Sequence, residues 1–378
     1  MKNQELTSDV SNTSGSTIPR IGVIGSGAIS SIYLKTLMTE LNHFVEVTAI
    51  ASKGGKSAKG KAQEFSIPQV LTVEKLTSSE DVDWVLILTN PDTHYSLATQ
   101  ALNGGKHVYL EKPLSLQWAQ VQELFKLAEQ KGLYLGSAPD VILGGAFQTC
   151  LKLLRDNWIG VPVSVHGHIG MNEHGSWYHK SSVGGVLMDM APYYLAAMIA
   201  LFGPVRRVMS VGSTIRSKKR NLNSGSPEFG LEYALDCQGT VKSLLEFQSG
   251  MVGDLTLSND GYSYTPELVV HGTGGKLVCN DPNMFHGNPV LQFSYDDHHP
   301  MPLVYGFSRD FRGLGLVEMI RAIQLGRLPR LNRDFVFHWH EVLFAMKDSY
   351  EKDDWIHLRS TCASPEPMPL GTGYEVFF

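Results

Sequence analysis

A glycine-rich turn close to the N-terminus is the feature that most constrains how this chain folds. The segment Gly25-Ser-Gly-Ala-Ile-Ser30 follows a short apolar run and precedes an amphipathic stretch, and β-rich runs then alternate with amphipathic ones. This alternation predicts a parallel, doubly wound sheet with right-handed crossovers. The predicted strands are residues 21–24, 45–51, 84–89, 107–110 and 133–136, and the predicted helices are residues 32–41, 57–65, 95–102 and 116–130.

The rhythm changes after residue 138, where longer alternating strands are joined by short turns. This pattern predicts an α+β domain built on a large, mostly antiparallel open sheet. We therefore divide the chain into a disordered lead (residues 1–19), a doubly wound α/β domain (20–138) and an α+β domain (139–378). In the last domain we expect helices at 145–156, 186–201, 311–325 and 335–350, and strands at 161–170, 207–215, 230–236, 241–247, 251–258 and 267–271.

Composition and charge narrow the classes of function. A net charge of -5 and a pI near 6.3 do not suit binding to nucleic acid or to an anionic membrane surface. Four scattered cysteines without a Cys-x-x-Cys pair favour a reducing compartment, and no apolar run approaches the roughly 20 residues of a membrane span. We expect a soluble, cytoplasmic protein with small-molecule partners, and we assign the basic triplet Lys218-Lys219-Arg220 to a solvated loop.

The histidines do not have the spacing of a metal site. His166-x-His168 falls on one face of a predicted strand and His338-x-His340 on different faces of a helix, and neither pair has a clear third ligand. We therefore expect no metal centre.

The glycine turn has the context of a dinucleotide site, because it lies between a predicted strand and a predicted helix. The first glycine permits a tight turn, the second lets backbone amides approach a pyrophosphate, and Ser30 is small enough for the third position. The alternative is an ordinary glycine turn in a βα unit. We expect a Rossmann domain in which the cofactor contacts Gly25, Gly27, Ala28 and Ile29.

The end of the second predicted strand bears on the choice of cofactor. An NAD site normally offers a carboxylate to the adenosine ribose at this point, whereas this chain reads Ala51-Ser-Lys-Gly-Gly-Lys56. Ser52 and Lys53 have the hydrogen-bonding group and the charge that a 2'-phosphate needs. NADP(H) is therefore expected in preference to NAD(H), the alternative being that Lys53 points to solvent.

Polar residues follow the strand at 84–89, where ligands of open α/β sheets bind. Thr89 and Asn90 begin a turn into the next helix, and His94 lies one turn further on. We expect all three to contact the cofactor. For His94, helix capping or packing is the alternative.

Lys112 is the strongest candidate for chemistry. It follows the strand at 107–110 and precedes Pro113, which permits a cis peptide bond and an amine directed into the cleft. In the second domain, Asp189 and Tyr193 are four residues apart on one helix face. A phenol close to an ammonium group has a lowered pKa and exchanges a proton readily. The alternative is a surface lysine, with Asp189 and Tyr193 serving the helix and the core.

The order of these motifs resembles the Gfo/Idh/MocA family, named for glucose-fructose oxidoreductase and inositol dehydrogenase. The resemblance covers residues 20–370, although Val183 and Ala191 stand where the family often has glycine. The matching segments are Gly25-x-Gly27-x-x-Ser30, Asn90-Pro91 with His94, Glu111-Lys112-Pro113, Ala138-Pro139-Asp140, Gly184-Gly185 through Asp189 to Tyr193, and Arg312-Gly-Leu-Gly315.

The resemblance implies roles for individual residues. Lys112 becomes the catalytic or substrate-polarising lysine that also meets the cofactor, Glu111 a cofactor contact, and Asp189 and Tyr193 the other catalytic residues. It also implies oligomer contacts through the C-terminal sheet, here in a homodimer or homotetramer. A loop with His174, Trp177 and His179 is expected to line the substrate pocket.

Together these features predict an NADP(H)-preferring oxidoreductase acting on CH–OH groups. Hydride would pass between the nicotinamide and a secondary alcohol or ketone of a sugar, polyol or keto-sugar, with Tyr193 exchanging the proton, Lys112 polarising the oxygen and Asp189 orienting them. Two alternatives remain. One is a dinucleotide-binding sensor or transcriptional co-regulator, since the family includes a galactose-pathway repressor. The other is a redox-neutral glycosidase that uses NAD.

Overall fold

The first part of the chain folds around a six-stranded parallel sheet. The computed structural model describes residues 18–172, 183–222, 224–225, 228–371 and 377. The strands run in the order β3-β2-β1-β4-β5-β6, with every neighbour parallel. The elements are β1 (Arg20–Ile24), α1 (Ala28–Lys35), β2 (Glu46–Ala51), α2 (Lys56–Phe65), β3 (Gln69–Leu71), α3 (Val73–Ser78), β4 (Trp84–Ile87), α4 (Pro91–Asn103), β5 (His107–Leu110), α5 (Trp118–Gln130) and β6 (Leu135–Ser137).

This sheet confirms the predicted doubly wound arrangement. The chain reverses its direction of progress between β1 and β4, and the carboxyl ends of both strands flank the resulting crevice, which is where ligands of such sheets bind. Gly25 follows β1, Thr89 lies just beyond β4, and Lys112 lies just beyond β5. The predicted cofactor and catalytic residues of this domain therefore share one edge of the sheet.

The second part is built on a nine-stranded mixed sheet, in the order β16-β15-β14-β13-β7-β12-β11-β8-β17. Neighbours are antiparallel except for β7 with β12. The elements are α6 (Gly145–Arg155), β7 (Pro162–Asn172), α7 (Gly185–Phe202), β8 (Val205–Ser213), β9 (Lys218–Arg220), β10 (Glu232–Ala234), β11 (Thr240–Phe247), β12 (Val252–Ser258), β13 (Asp260–Gly272), β14 (Gly275–Val278), β15 (Val290–Gln292), β16 (His299–Pro300), α8 (Leu314–Gln324), α9 (Arg333–Lys352) and β17 (Ile356–His357).

Helix α7 is the apolar centre of the second domain. It packs on α9 and on strands β11 and β12, and nearly all of its residues are buried. Among the described helices it alone has the length and composition of a membrane span, but 83% of its apolar window is buried inside the protein. It therefore has the character of a core helix, and its first turns carry Asp189 and Tyr193 to the domain junction.

Several short elements were not predicted from the sequence, and one expectation was wrong. Helix α3 and the strands β3, β14, β15, β16 and β17 have two to six residues each, too few for a clear periodicity. The triplet Lys218-Lys219-Arg220 forms β9, paired with β10, instead of a solvated loop. Lys219 is buried and donates to the carbonyl of Asn259, because alternation along the strand turns the middle residue inward.

Candidate active site

The glycine turn leaves space for a phosphate group at the start of α1. Gly25 has φ of +117°, and a Cβ atom there would lie 2.4 Å from the carbonyl oxygen of Leu88. Gly27 is exposed, and a Cβ atom there would meet nothing within 4 Å. Ala28 is exposed and Ile29 half-buried at the first positions of α1. Amide groups of a helix N-terminus with open space above them suit the pyrophosphate of a dinucleotide.

Three serine hydroxyl groups meet where β2 ends. The Ser26 hydroxyl donates to Ser57 Oγ at 2.7 Å, and the Oγ atoms of Ser57 and Ser52 are 3.1 Å apart. Ser52 Oγ also accepts from the amide of Ala58 at 3.1 Å. Lys53 is exposed beside them, and residues 51–57 contain no carboxylate. This edge offers hydroxyl groups and a cation to the adenosine end of a cofactor.

The residues after β4 divide into two environments. Asn90 is exposed at the N-cap of α4 without a capping hydrogen bond from its side chain, and Thr89 Oγ1 accepts from the Thr93 hydroxyl at 2.8 Å. His94 is fully buried, with Nδ1 2.7 Å from the carbonyl oxygen of Pro113 and Nε2 3.0 Å from that of Thr89. Both ring nitrogens of His94 are therefore occupied by backbone carbonyl groups of the protein, and the geometry favours the packing alternative over a cofactor contact.

A second buried histidine holds the loop that carries Lys112. The amide of Leu114 donates to Nε2 of His340, at 3.0 Å, and Nδ1 of His340 lies 2.7 Å from the carbonyl oxygen of Val336. His340 therefore carries its proton on Nδ1, and burial lowers its pKa to about 3. In the sequence, His340 stands out only as one member of the pair His338-x-His340. The loop after β5 is thus held by His94 on one side and by helix α9 on the other.

The side chain of Glu111 is buried within the same loop. Its Oε1 accepts from the hydroxyl of Tyr33 at 2.8 Å, and its Oε2 accepts from the amide of Lys112 at 3.1 Å. The peptide bond between Lys112 and Pro113 is cis, as the sequence allowed. Tyr33 is on α1, so Glu111 links the glycine-turn helix to the lysine.

The structure brings Lys112, Asp189 and Tyr193 together across the two domains. Lys112 Nζ lies 2.7 Å from Asp189 Oδ1 and also donates to the backbone carbonyl of Asp189. The same ammonium group is 4.7 Å from the centre of the Tyr193 ring. An ammonium, a carboxylate and a phenol therefore meet at the sheet edge where the cofactor crevice ends.

Burial and charge set the protonation of this group. Burial lowers the pKa of Lys112, but attraction to Asp189 and Tyr193 outweighs it, so the net pKa is raised. For Tyr193, burial raises the pKa more than the cations Lys112 and Arg312 lower it, and the net pKa is above its ordinary value. The predicted lowering of the tyrosine pKa was therefore wrong, because it omitted the cost of placing a phenolate away from water.

Two further residues, to which the sequence gave no role, bear on this group: Arg312 contacts it, and Asp140 holds the backbone that follows Arg312. Arg312 has its guanidinium carbon 5.7 Å from the centre of the Tyr193 ring. Asp140 is fully buried and accepts from the amides of Gly313 and Gly315, at 2.8 and 3.0 Å, at the start of α8. In the sequence, the segments that contain Asp140 and Arg312 stand out only as parts of the family pattern. The expected pocket residues His174, Trp177 and His179 lie outside the described residues.

Comparison with known proteins identifies relatives of both domains. Residues 19–138 match the model of an oxidoreductase family with an NAD-binding Rossmann fold, and residues 147–278 match the Gfo/Idh/MocA C-terminal domain. An uncharacterised oxidoreductase of Schizosaccharomyces pombe is 29% identical over 267 residues, which cover 68% of this chain and 69% of that protein. Trans-1,2-dihydrobenzene-1,2-diol dehydrogenase of Bos taurus is 24% identical over 307 residues, 79% of this chain and 84% of that protein.

Among solved structures, a levoglucosan dehydrogenase in complex with NADH and L-sorbose shares the fold, with a TM-score of 0.77 and 18% identity. The match covers 90% of this chain and 99% of the dehydrogenase.

Proposed function

The chain belongs to the Gfo/Idh/MocA family of NAD-binding oxidoreductases, and from this premise we propose that it transfers hydride between a nicotinamide and a secondary alcohol or ketone carbon of a sugar, polyol or keto-sugar. The observation that carries the proposal is the meeting of Lys112, Asp189 and Tyr193 at the carboxyl edge of the parallel sheet. A bound nicotinamide supplies or accepts the hydride. The remaining chemistry is a proton transfer and the stabilisation of charge on one oxygen.

The three side chains have distinct tasks in this proposal. Lys112 Nζ has three N–H groups, of which the Asp189 side chain and carbonyl take two, so the third is available for a substrate oxygen. The Tyr193 hydroxyl gives its proton to that oxygen or takes one from it. Asp189 fixes the ammonium group and keeps it charged. Reduction of a ketone thus ends with a proton from the phenol, and oxidation of an alcohol ends with a proton returned to it.

For the cofactor we propose a preference for NADP(H). The hydroxyl groups of Ser26, Ser52 and Ser57 and the ammonium group of Lys53 surround the position where an NAD enzyme would present a carboxylate. A 2'-phosphate would gain charge-assisted hydrogen bonds there. The Gly25–Gly27 turn, Ala28, Ile29, Thr89, Asn90 and Glu111 complete the proposed cofactor site.

The substrate class rests on the relatives. The levoglucosan dehydrogenase was solved with L-sorbose, and the bovine relative is named for a diol substrate, so cyclic compounds with neighbouring hydroxyl groups are the first to test.

We also propose a homodimer or homotetramer that forms through the open face of the nine-stranded sheet. Val211, Leu244 and Val252 lie on that face and are each more than half exposed.

Turnover of a panel of sugars, polyols and keto-sugars tests the catalytic assignment. We expect Lys112→Met and Tyr193→Phe each to lower kcat at least about 100-fold, the range of a general acid–base group, while the Kd for NADPH changes less than about threefold. Lys126→Met, on the exposed face of α5, is the control and should leave both values unchanged. Full turnover by Lys112→Met would remove this lysine from the mechanism. NADPH binding without turnover of any compound would favour the sensor alternative.

Cofactor preference is tested by the ratio of the Kd values for NADH and NADPH. Lys53→Ala should weaken NADPH binding about tenfold, the value of one charge-assisted hydrogen bond, and leave NADH binding unchanged. Lys56→Ala, three residues further on at the exposed start of α2, is the matched control. Equal effects of Lys53→Ala on both cofactors would contradict a 2'-phosphate contact.

A further inference from the structure

Arg312 is a buried cation at the centre of the candidate active site. Only 7% of the residue is exposed, and its guanidinium carbon lies 5.7 Å from the centre of the Tyr193 ring. The ammonium group of Lys112 is 4.7 Å from the same ring centre. Two cations, one from each domain, therefore face the phenol proposed to exchange a proton.

The hydrogen bonds of Arg312 are incomplete. Its Nη2 donates to the carbonyl oxygen of Asn283 at 3.1 Å and to the Oδ1 of the same residue at 2.9 Å. Its Nη1 is buried and has no hydrogen-bond partner among the described residues. A buried, charged N–H group without a partner is costly, and arginine is almost never fully buried unless paired. Asn283 holds the guanidinium in place through Nη2, and Nη1 remains for another hydrogen-bond acceptor.

No hydrogen bond joins Arg312 to a nearby carboxylate in the part of the chain that the structure describes. Asp189 pairs with Lys112, and Glu111 accepts from the hydroxyl of Tyr33 and from a backbone amide. Asp140 accepts two backbone amides through Oδ2, and its buried Oδ1 has no hydrogen-bond partner among the described residues. Asp310 is half-exposed, and its Oδ1 is 3.8 Å from Arg312 Nε, too far for a hydrogen bond. In the part of the chain that the structure describes, no carboxylate therefore binds this guanidinium directly.

The missing partner has the chemistry of an anionic oxygen. The proposed site for the pyrophosphate is the glycine turn at the start of α1, whereas the guanidinium of Arg312 lies against the ring of Tyr193. Planar guanidinium groups are the preferred partners of carboxylates. We infer that Arg312 is a substrate-binding residue for a carboxylate, and that the substrate is a sugar acid or a related polyhydroxy acid. This inference rests on the proposed function.

Kinetics on matched compounds test the inference. D-gluconate with D-glucitol and D-glucuronate with D-glucose are pairs that differ in a carboxylate against a hydroxymethyl group. We expect the wild type to favour the acid of a pair at least tenfold in kcat/KM, and Arg312→Gln to lose 10- to 100-fold more kcat/KM on the acid than on the neutral partner, with the difference mainly in KM. Arg312→Lys should recover part of the loss. Arg333→Gln, with its side chain half-exposed, is the control and should change neither value.

A binding measurement separates this inference from the proposed function. Calorimetric titration of tartrate, a small polyhydroxy dicarboxylate, into the NADP+-loaded protein does not depend on turnover. We expect the Kd for tartrate to rise at least tenfold in Arg312→Gln and not in Arg333→Gln. If no sugar is turned over but tartrate binding depends on Arg312, the inference stands and the redox assignment fails. Equal tartrate binding by wild type and Arg312→Gln, or equal kcat/KM for acid and neutral partners in the wild type, overturns it.

Discussion

The ion pair between Lys112 and Asp189 allows a quantitative test of the site. Its atoms are 2.7 Å apart, and the two side chains are only 10% and 22% exposed. At an effective dielectric constant of 20, two unit charges at that distance attract by about 6 kcal/mol, and removing one partner of a buried pair typically costs about 3–5 kcal/mol. Asp189→Ala leaves the ammonium group buried with a backbone carbonyl and the Tyr193 ring as its partners.

A double-mutant cycle measures the coupling within this pair. We expect about 4 kcal/mol of lost stability for Asp189→Ala and about 3 kcal/mol for Lys112→Met, whose remaining carboxylate keeps some contact with water. If the two changes were independent, the double variant would lose about 7 kcal/mol of stability. Because it contains no unpaired charge, it should lose only about 4 kcal/mol, and the difference is a coupling energy of about 3 kcal/mol. The assay is urea unfolding at pH 7, followed by tryptophan fluorescence.

An exposed pair of similar length provides the reference. Lys352 Nζ and Asp348 Oδ2 are 2.6 Å apart on α9, with side chains 60% and 47% exposed. Water screens such a pair, so its coupling energy should stay below about 1 kcal/mol. If the buried pair gives no more coupling than this reference, the reasoning from burial is refuted, and Asp189 does not fix the lysine.

Two other changes test the elements that support the site. Gly25→Ala should weaken NADPH binding at least tenfold, because its Cβ atom would lie 2.4 Å from the Leu88 carbonyl, whereas Gly60→Ala, with nothing within 4 Å, should not; equal Kd values would refute the turn assignment. For His340, the pKa is about 3 in the folded protein and near 6.5 when unfolded, so its stabilising contribution is complete above pH 6.5 and is lost as the pH falls toward 3. Between pH 7 and 5 the wild type should therefore lose about 2 kcal/mol more unfolding free energy than His340→Gln, and parallel curves would contradict a neutral buried histidine.

The first domain was predictable because its signals are local. Five strands of the parallel sheet, β1, β2, β4, β5 and β6, are largely buried on both faces and read as short apolar runs. β5 was therefore predicted with its observed bounds. The glycine turn, Lys112 and the helix face with Asp189 and Tyr193 each depend on a few neighbouring residues. The strands of the second domain were also recognisable from their alternation. β13 nevertheless begins seven residues before the predicted strand at 267–271, since Gly261 and Pro266 are residues that usually interrupt a strand.

The remaining parts of the site depend on contacts that no local pattern encodes. Arg312 reaches Tyr193 from a turn more than 100 residues further along the chain, and Asp140 caps α8 across 173 residues. From histidine spacing, His340 could be considered only as a metal ligand. In the structure its Nε2 accepts a hydrogen bond from the amide of Leu114, 226 residues away in the sequence. A single sequence gives side-chain types and local spacing, and such long-range partners require the packing of α8 and α9.

The loop after β5 explains why the second domain matters for the chemistry of the first. His94 holds the carbonyl of Pro113 from within the Rossmann domain, while His340 on α9 holds the next amide and Asp189 on α7 holds the amine of Lys112. The position of this lysine at the sheet edge is therefore set from both sides. A packing change between α7 and α9 would move the amine relative to the crevice without altering any residue near the glycine turn. We therefore expect cofactor binding and turnover to be separable in this fold, with changes at the glycine turn affecting the first and changes at the domain junction affecting the second.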